Sequence, residues 1–317
     1  MTNGCLIVNL GSPEKPTVEG IRTFLSRMLS DRHVVNLTPL LWKPILHGII
    51  LRVRPKKLIP LYERIWTNKG SPLVSITESQ REKLQKRLPD VEVRHAFCYS
   101  SPSIEEALAN WDIETLTVVP LYPQVATSTV LPVFDRILDY YTEHPSEHPH
   151  VVFASSYATE PNMIAWYQSE IRRRIQKNPV DEVLLSFHGV PKRRSHLAEH
   201  YKAQCRATRD AIASGVPEVK VSMSFQSKFG PLEWLGPSTA EVLEGLPSRG
   251  TKRLLVATPA FVADCLETLE EIKVENRDRF LEAGGSYYDV ISPINDADSF
   301  VDTLFNVYQA ASMTSPA

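Results

Sequence analysis

Eight short apolar runs punctuate the chain, and most of the gaps between them are long enough for a helix. Runs with strand character fall at residues 4–10, 91–98, 114–121, 150–155, 182–188, 219–225, 252–258 and 287–291. Helical patterns occupy 16–28, 75–87, 103–110, 130–142, 160–177, 195–213, 237–245, 266–283 and 297–310. Strands separated by helices pair in parallel through crossovers, which gives α/β layers with helices on both faces. Eight such strands can close one barrel or build two four-stranded sheets.

An internal echo favours two sheets. Leu10-Gly11-Ser12-Pro13 and His188-Gly189-Val190-Pro191 each follow an apolar strand, 178 residues apart. Ala96-Phe97 and Ser224-Phe225 also end strands, 128 residues apart. The first half therefore carries about 50 extra residues, which fall in the segment near 33–75. A length of 317 residues also suits two domains. The expected boundaries are 1–155 and 156–317, with the last helix packing back on the N-terminal domain.

The 33–75 segment has its own pattern. Trp42, Ile45, Leu46, Ile49, Ile50 and Val53 recur at helical spacing, flanked by Lys43, Arg52, Arg54, Lys56 and Lys57. Two readings fit: an amphipathic lid over an apolar ligand or membrane surface, or a helix packed on its own core.

Composition excludes several classes. Thirty-five basic and 37 acidic residues leave a formal charge of −2, without the basic excess of a nucleic-acid binder. Cys5, Cys98, Cys205 and Cys265 form no CxxC pair, which removes zinc-ribbon, thioredoxin-like and local iron–sulfur motifs. GxGxxG, GxxxxGK[ST] and GxSxG are missing from the sequence, so dinucleotide, P-loop and serine-hydrolase readings lose their usual support. The N-terminal residues lack a basic, apolar leader pattern, and no uncharged apolar run reaches ~18 residues. A cytoplasmic location is expected.

Four stretches at strand ends carry chemistry. Leu184-Leu185-Ser186-Phe187-His188-Gly189-Val190-Pro191 puts a histidine where ligands sit in open α/β sheets. It is a base, a metal ligand or a loop histidine bonded to backbone. In Thr258–Glu271 a strand leads to a helix on which Glu267, Glu271 and Glu275 are spaced by four. Stacked like charges suit a cation path or proton relay. The competing reading is a capping box, with Asp264 as N-cap and Glu267 three residues on. Gln226-Ser227-Lys228-Phe229-Gly230 with Trp234-Leu235-Gly236-Pro237, and Pro120-Leu121-Tyr122-Pro123-Gln124 with Ser128 and Thr129, complete the set. His196-Leu197-Ala198-Glu199-His200 matches a zinc-peptidase pattern but also suits a solvated helix face. His144, His148 and His150 lie in a Pro-broken loop.

Taken in order, these motifs resemble the ferrochelatases, enzymes that insert ferrous iron into a porphyrin. The resemblance rests on Asn9–Pro13, Phe24-Leu25, Leu29-Ser30-Asp31, Ile65-Trp66, Gly70–Leu73, Pro120–Gln124, Ser186–Pro191, Phe225–Gly230, Trp234-Leu235 and Asp264–Glu271. It implies two doubly wound, Rossmann-like domains with four-stranded parallel sheets and a porphyrin cleft between them. His188 and Glu267 match the facing pair that handles metal and protons, and Glu271 and Glu275 an acidic relay. Tyr122, Ser227, Arg54, Lys57 and Leu10 match porphyrin-binding positions. The lip at 38–53 resembles the membrane-facing lip of members acting on protoporphyrin IX. The implied reaction yields protoheme, with iron as substrate and no resident cofactor. No iron–sulfur cluster is expected, because no cysteine follows Cys265. Cys98 stands where the family commonly has Arg before the Tyr. A coproporphyrin or cobalt chelatase, and a non-catalytic tetrapyrrole carrier, stay as alternatives.

Overall fold

A computed structural model describes residues 2–35, 37–192, 195–228 and 232–313, with the backbone alone at Ser195. Phe229 and Gly230 of the third stretch lie outside the described residues. Eight strands form: β1 Asn3–Asn9, β2 Val91–Phe97, β3 Thr115–Pro120, β4 His150–Phe153, β5 Glu182–His188, β6 Lys220–Gln226, β7 Arg253–Ala257 and β8 Tyr287–Ile291. The helices that bear on the argument below are α1 Val18–Ser30, α2 Pro39–Ile45, α3 Leu51–Ile65, α4 Pro72–Arg87, α5 Ile104–Leu108, α6 Thr127–Glu143, α7 Pro161–Lys177, α8 Ser195–Ser214, α9 Thr239–Gly245, α10 Asn276–Glu282 and α11 Asp298–Met313. Two π-helical segments, Leu46–Ile50 and Glu267–Glu275, interrupt or replace α-helix.

The strands make two four-stranded parallel sheets, ordered β2-β1-β3-β4 and β6-β5-β7-β8. This is the expected fold class; the barrel is excluded. The chain divides into two compact units. One holds the residues up to Tyr122, Thr127–Ser155 and the chain from Leu304; the other holds Pro123–Ala126 and Ser156–Thr303. Each sheet has helices on both faces, so its central strand is apolar on both: Leu6, Ile7 and Val8 in β1, and Val183, Leu184 and Leu185 in β5, are fully buried. β5 also buries two polar residues: Glu182, which accepts from Lys220 Nζ (2.8 Å), and Ser186, which donates to Gln226 Oε1 (2.8 Å) and meets the Thr239 hydroxyl at 2.8 Å.

The echo seen in the sequence recurs in the backbone of each unit. The Phe97 N–H donates to the Pro102 carbonyl (2.8 Å) and Phe97 bridges Ser103, the N-cap of α5. The Phe225 N–H donates to the Pro237 carbonyl (2.9 Å) and Phe225 bridges Ser238, the N-cap of α9. One strand–loop–helix device is used at the same position in both sheets.

The helical pattern at 42–53 resolves differently from a single apolar face. Trp42 and Leu46 are buried, and Trp42 Nε1 donates to the Leu29 carbonyl at 2.7 Å. Leu40 (85% exposed), Leu41 (70%), Ile45, Ile49 (61%) and Val53 face outward. Beyond Ile45 the cause is the π segment Leu46–Ile50. Its i→i+5 bonding puts the next anchor, Leu51, five residues after Leu46 and rotates the 3.6-residue stripe away from α1. Arg22 Nε on α1 donates to the Leu51 carbonyl (3.1 Å) at this junction. Two side chains of the segment pack inward and five stay exposed.

Gly11 follows the end of β1 with φ +97, a backbone region that side chains with a Cβ rarely enter. A Cβ there would lie 2.3 Å from Ser100 Oγ and 3.0 Å from Phe97 Cβ. Gly11→Ala is therefore expected to cost about 2 kcal/mol or more of folding stability, measured by urea unfolding. A loss within 0.5 kcal/mol, ordinary for a surface change, would contradict this account of the turn.

Candidate active site

In each sheet the connections leave neighbouring strands in opposite directions at one place: β1/β3 in the first unit and β5/β7 in the second. Ligands of open α/β sheets bind outside the strand C-termini at such switch points. In the first unit these ends carry Leu10 and, just past Pro120, Tyr122; both are half-buried. In the second unit they carry His188, the last residue of β5, and the loop 258–265 that leads from β7 into Glu267. The register pairs His188 with Gln226, so Ser227 follows at the same end of the sheet.

The His188 ring is fixed by its own turn. Nδ1 lies 2.7 Å from the Gly189 carbonyl oxygen. A carbonyl only accepts, so Nδ1 carries the proton and Nε2 of the neutral ring keeps its lone pair. The Phe261 ring, from the loop after β7, sits 6.1 Å from the imidazole, centroid to centroid. The buried Tyr201 hydroxyl donates to the His188 carbonyl (2.9 Å). The Gly189 N–H donates to the Gln226 carbonyl (2.8 Å), and a Cβ on Gly189 would meet that same oxygen at 2.8 Å. The Gln226–Pro237 stretch is tied to the histidine loop: the Leu235 N–H donates to the Val190 carbonyl (3.0 Å), and Trp234 bridges Pro191.

The acidic segment is a π-helix, where the sequence reading expects an ordinary helix. In an α-helix, residues four apart drift round the axis by ~40° per step; the wider π turn reverses the sense of that drift. Here residues four apart fall into two columns. Thr268, Ile272, Asn276 and Phe280 are buried, with Ile272 and Phe280 in the core beside Leu184, Leu254 and Val256. Glu267, Glu271 and Glu275, one residue ahead, run from half-buried through half-buried to exposed. The Tyr288 hydroxyl donates to the Ile272 carbonyl (2.8 Å).

The capping-box alternative does not form. Asp264 Oδ1 accepts from the Thr268 hydroxyl (2.8 Å) and Oδ2 from Asn295 Nδ2 (2.9 Å), while the Cys265 N–H is taken by Thr268 Oγ1 (3.0 Å). Threonine closes this turn, and Glu267 does not. The neighbour of Glu267 is the buried Cys265 thiol, which burial and then the Glu267 charge push well up.

Glu271 has both oxygens engaged. The Ser227 N–H donates to Oε1 (3.0 Å) and the Ser227 hydroxyl to Oε2 (2.6 Å). Burial holds the Glu271 carboxyl above the usual glutamate range; the two Ser227 bonds oppose that shift, the Glu267 charge adds to it, and His188 opposes it. His188, Ser227, Glu267 and Glu271 thus gather at one end of the second sheet, with Glu275 exposed beyond them. Arg54 and Lys57 lie on α3 in the first unit, half-buried and exposed respectively. Among the described residues no three His, Cys, Asp or Glu side chains converge as a metal cage. His196, Glu199 and His200 are exposed on α8, the solvated face. His144 and His148 bond to nearby carbonyls of Tyr140 and Pro149. Sequence reasoning gave no role to Phe261, Thr268 and Asn295; for Thr268 the signal was there, in the spacing of four that it shares with Ile272, Asn276 and Phe280.

A pH dependence follows from Glu271. Its folded carboxyl binds a proton more readily than the unfolded one, so its contribution to stability falls as pH rises from the ordinary glutamate range through the raised value. Wild type is expected to lose stability relative to Glu271→Gln across that window, measured by denaturant unfolding at several pH values. Parallel curves would show that burial does not govern this carboxyl.

Comparisons with known proteins bear on the family and on the fold. The ferrochelatase family profile matches residues 2–312. The coproporphyrin III ferrochelatase of Enterococcus faecalis is 41% identical over 295 residues, covering 92% of this chain and 94% of its own. The ferrochelatase of Yersinia pestis is 39% identical over 310 residues, covering 95% and 96%. Among solved structures, SirB from Bacillus subtilis with Fe3+ superimposes with a TM-score of 0.60 at 12% identity, over 99% of this chain and 98% of that one. CbiX, the terminal enzyme of siroheme biosynthesis in denitrifying bacteria, gives 0.56 at 15%, over 98% and 99%. These two likenesses carry the fold, and the profile and the curated relatives carry the family: the chain belongs to the ferrochelatases.

Proposed function

We propose that this ferrochelatase inserts Fe2+ into protoporphyrin IX to give protoheme. The observation that carries the chemistry is the His188 ring, its Nδ1 bonded to the Gly189 carbonyl so that Nε2 keeps the lone pair, at the strand end beside a column of carboxylates. A free-base porphyrin must lose two inner N–H protons as the metal enters. His188 Nε2 accepts a pyrrole proton. Glu267 guides the metal and steadies the imidazolium that results. Glu271 and the exposed Glu275 carry protons outward or cations inward. One imidazole and one carboxylate hold a divalent ion loosely enough to hand it over, which a thiolate set would not. Tyr122 and Leu10 serve the macrocycle, and Arg54 and Lys57 its propionates.

The choice of porphyrin rests on the lip. Protoporphyrin carries two propionates and two vinyls, and coproporphyrin four propionates. Exposed Leu40, Leu41, Ile45, Ile49 and Val53 suit the less charged substrate. The 41% identity to a coproporphyrin III ferrochelatase favours the second reading, and the 39% identity to the Yersinia protein is too close to it to decide. Anaerobic incubation with ferrous iron and each porphyrin, followed by absorbance, is expected to give a kcat/KM at least tenfold higher for protoporphyrin. The reverse order would assign coproporphyrin, faster insertion of Co2+ would assign cobalt, and tight porphyrin binding without metallation would identify a carrier. His188→Ala is expected to abolish insertion while porphyrin binding persists; normal turnover in that variant would overturn the role of His188.

The same lip supports peripheral contact of a cytoplasmic protein with a bilayer. No helix among the described residues is long and apolar enough to cross one. Lys43, Arg52, Lys56 and Lys57 flank the exposed leucines and isoleucines and complement anionic headgroups. The protein is expected to sediment with phosphatidylglycerol vesicles and not with phosphatidylcholine vesicles, and the combined Leu40→Glu, Leu41→Glu and Ile49→Glu changes are expected to release it. Equal recovery in every case would remove the membrane role.

A further inference from the structure

We propose that Ser227 is the positioning residue for the Glu271 carboxylate, holding both of its oxygens in a fixed plane between His188 and Glu267. This deepens the ferrochelatase reading and rests on it, and it gives Ser227 a task other than contacting a propionate. Three observations converge. Two donors on one residue reach the two oxygens of one carboxylate, the N–H at 3.0 Å and the hydroxyl at 2.6 Å. Ser227 adopts φ +63, an uncommon conformation for a residue with a Cβ, one residue beyond the Gln226–His188 strand pair. Glu271 is the middle member of the acid column, half-buried between Glu267 and the exposed Glu275.

The chemistry gives the arrangement a purpose. A glutamate side chain on a wide π turn has rotamer freedom, and a relay carboxylate that swings loses its geometry with the histidine. Hydrogen bonds to an ionised acceptor are short and directional, and two of them on different oxygens fix rotation as well as distance. Because one donor is backbone and the other side chain, the clamp belongs to the β6 strand end, the element that also takes the Gly189 N–H. The position of Glu271 is therefore referenced to the histidine turn itself.

The test compares Ser227→Ala and Ser227→Gly, alone and with Glu271→Gln, in anaerobic iron-insertion assays on the full chain. Glycine accepts the positive φ and keeps the backbone donor, so it separates loss of the hydroxyl from backbone strain; thermal midpoints confirm folding. Each single Ser227 variant is expected to lower kcat about tenfold, with the KM for porphyrin within twofold of wild type. Added to Glu271→Gln, neither is expected to lower kcat further. Losses that multiply in the double variants would overturn the inference, as would a rise in porphyrin KM with kcat retained. A wild-type protein that binds porphyrin and inserts no metal would instead defeat the ferrochelatase reading, and this inference with it.

Discussion

The hydrogen bond between His188 Nδ1 and the Gly189 carbonyl is the contact on which the site depends. It selects the tautomer and so decides which nitrogen is offered to a substrate. The bond exists because the backbone just past β5 is held on two sides: Tyr201 takes the His188 carbonyl and Gln226 takes the Gly189 N–H. Gly189 is needed because any Cβ would press on that same Gln226 carbonyl. Backbone pairing between β5 and β6 thus fixes the geometry of the imidazole before any substrate arrives. The price of so tight a turn is a position that tolerates no side chain.

The two units share one plan and differ in what they place at its functional point. Both sheets have the same strand order, the same glycine after the first strand and the same strand–loop–serine device after the second. At the switch point the first unit presents Leu10 and Tyr122, and the second His188 with the loop that leads to Glu267. One frame thus carries apolar and aromatic groups in one copy and titratable groups in the other. The extra helical segment, Pro39–Ile65, was added to the apolar copy.

Much of this was legible in the residues. The eight strands, the two-sheet reading and the candidates His188, Glu267, Glu271 and Glu275 follow from alternation and from where polar residues end apolar runs. What the residues hid came from assuming a single helical period. At 42–53 a 3.6-residue stripe put six apolar residues on one face; Ile45, at the end of α2, is already exposed, and past the π turn at Leu46–Ile50 Val53 faces outward, as Ile49 does within it. At 267–280 the spacing of four in both the acidic and the buried columns already departs from 3.6, and it marks the second π segment. The Asp264–Glu267 pair has capping-box spacing, yet Thr268 and Asn295 take the aspartate, because a tertiary partner thirty-one residues away competes with a local one. Ser227 on Glu271 is a contact over forty-four residues that no local pattern encodes.

On the proposed reading, the protein must capture a divalent ion and then let it go. Thiolates would defeat that, and the nearest thiol is Cys265, beside Glu267. Burial and the adjacent carboxylate push it far above neutrality, which keeps it protonated and a poor ligand. Cys5, Cys98 and Cys205 are likewise buried and pushed up to about 12. The acid column is organised in the opposite sense: Glu267 and Glu271 are half-buried and Glu275 is exposed. An ion or proton moving along it exchanges protein oxygens for water gradually, so no single step bears the whole cost of desolvation. A four-residue period keeps those oxygens in one file while the neighbouring column stays packed in the core.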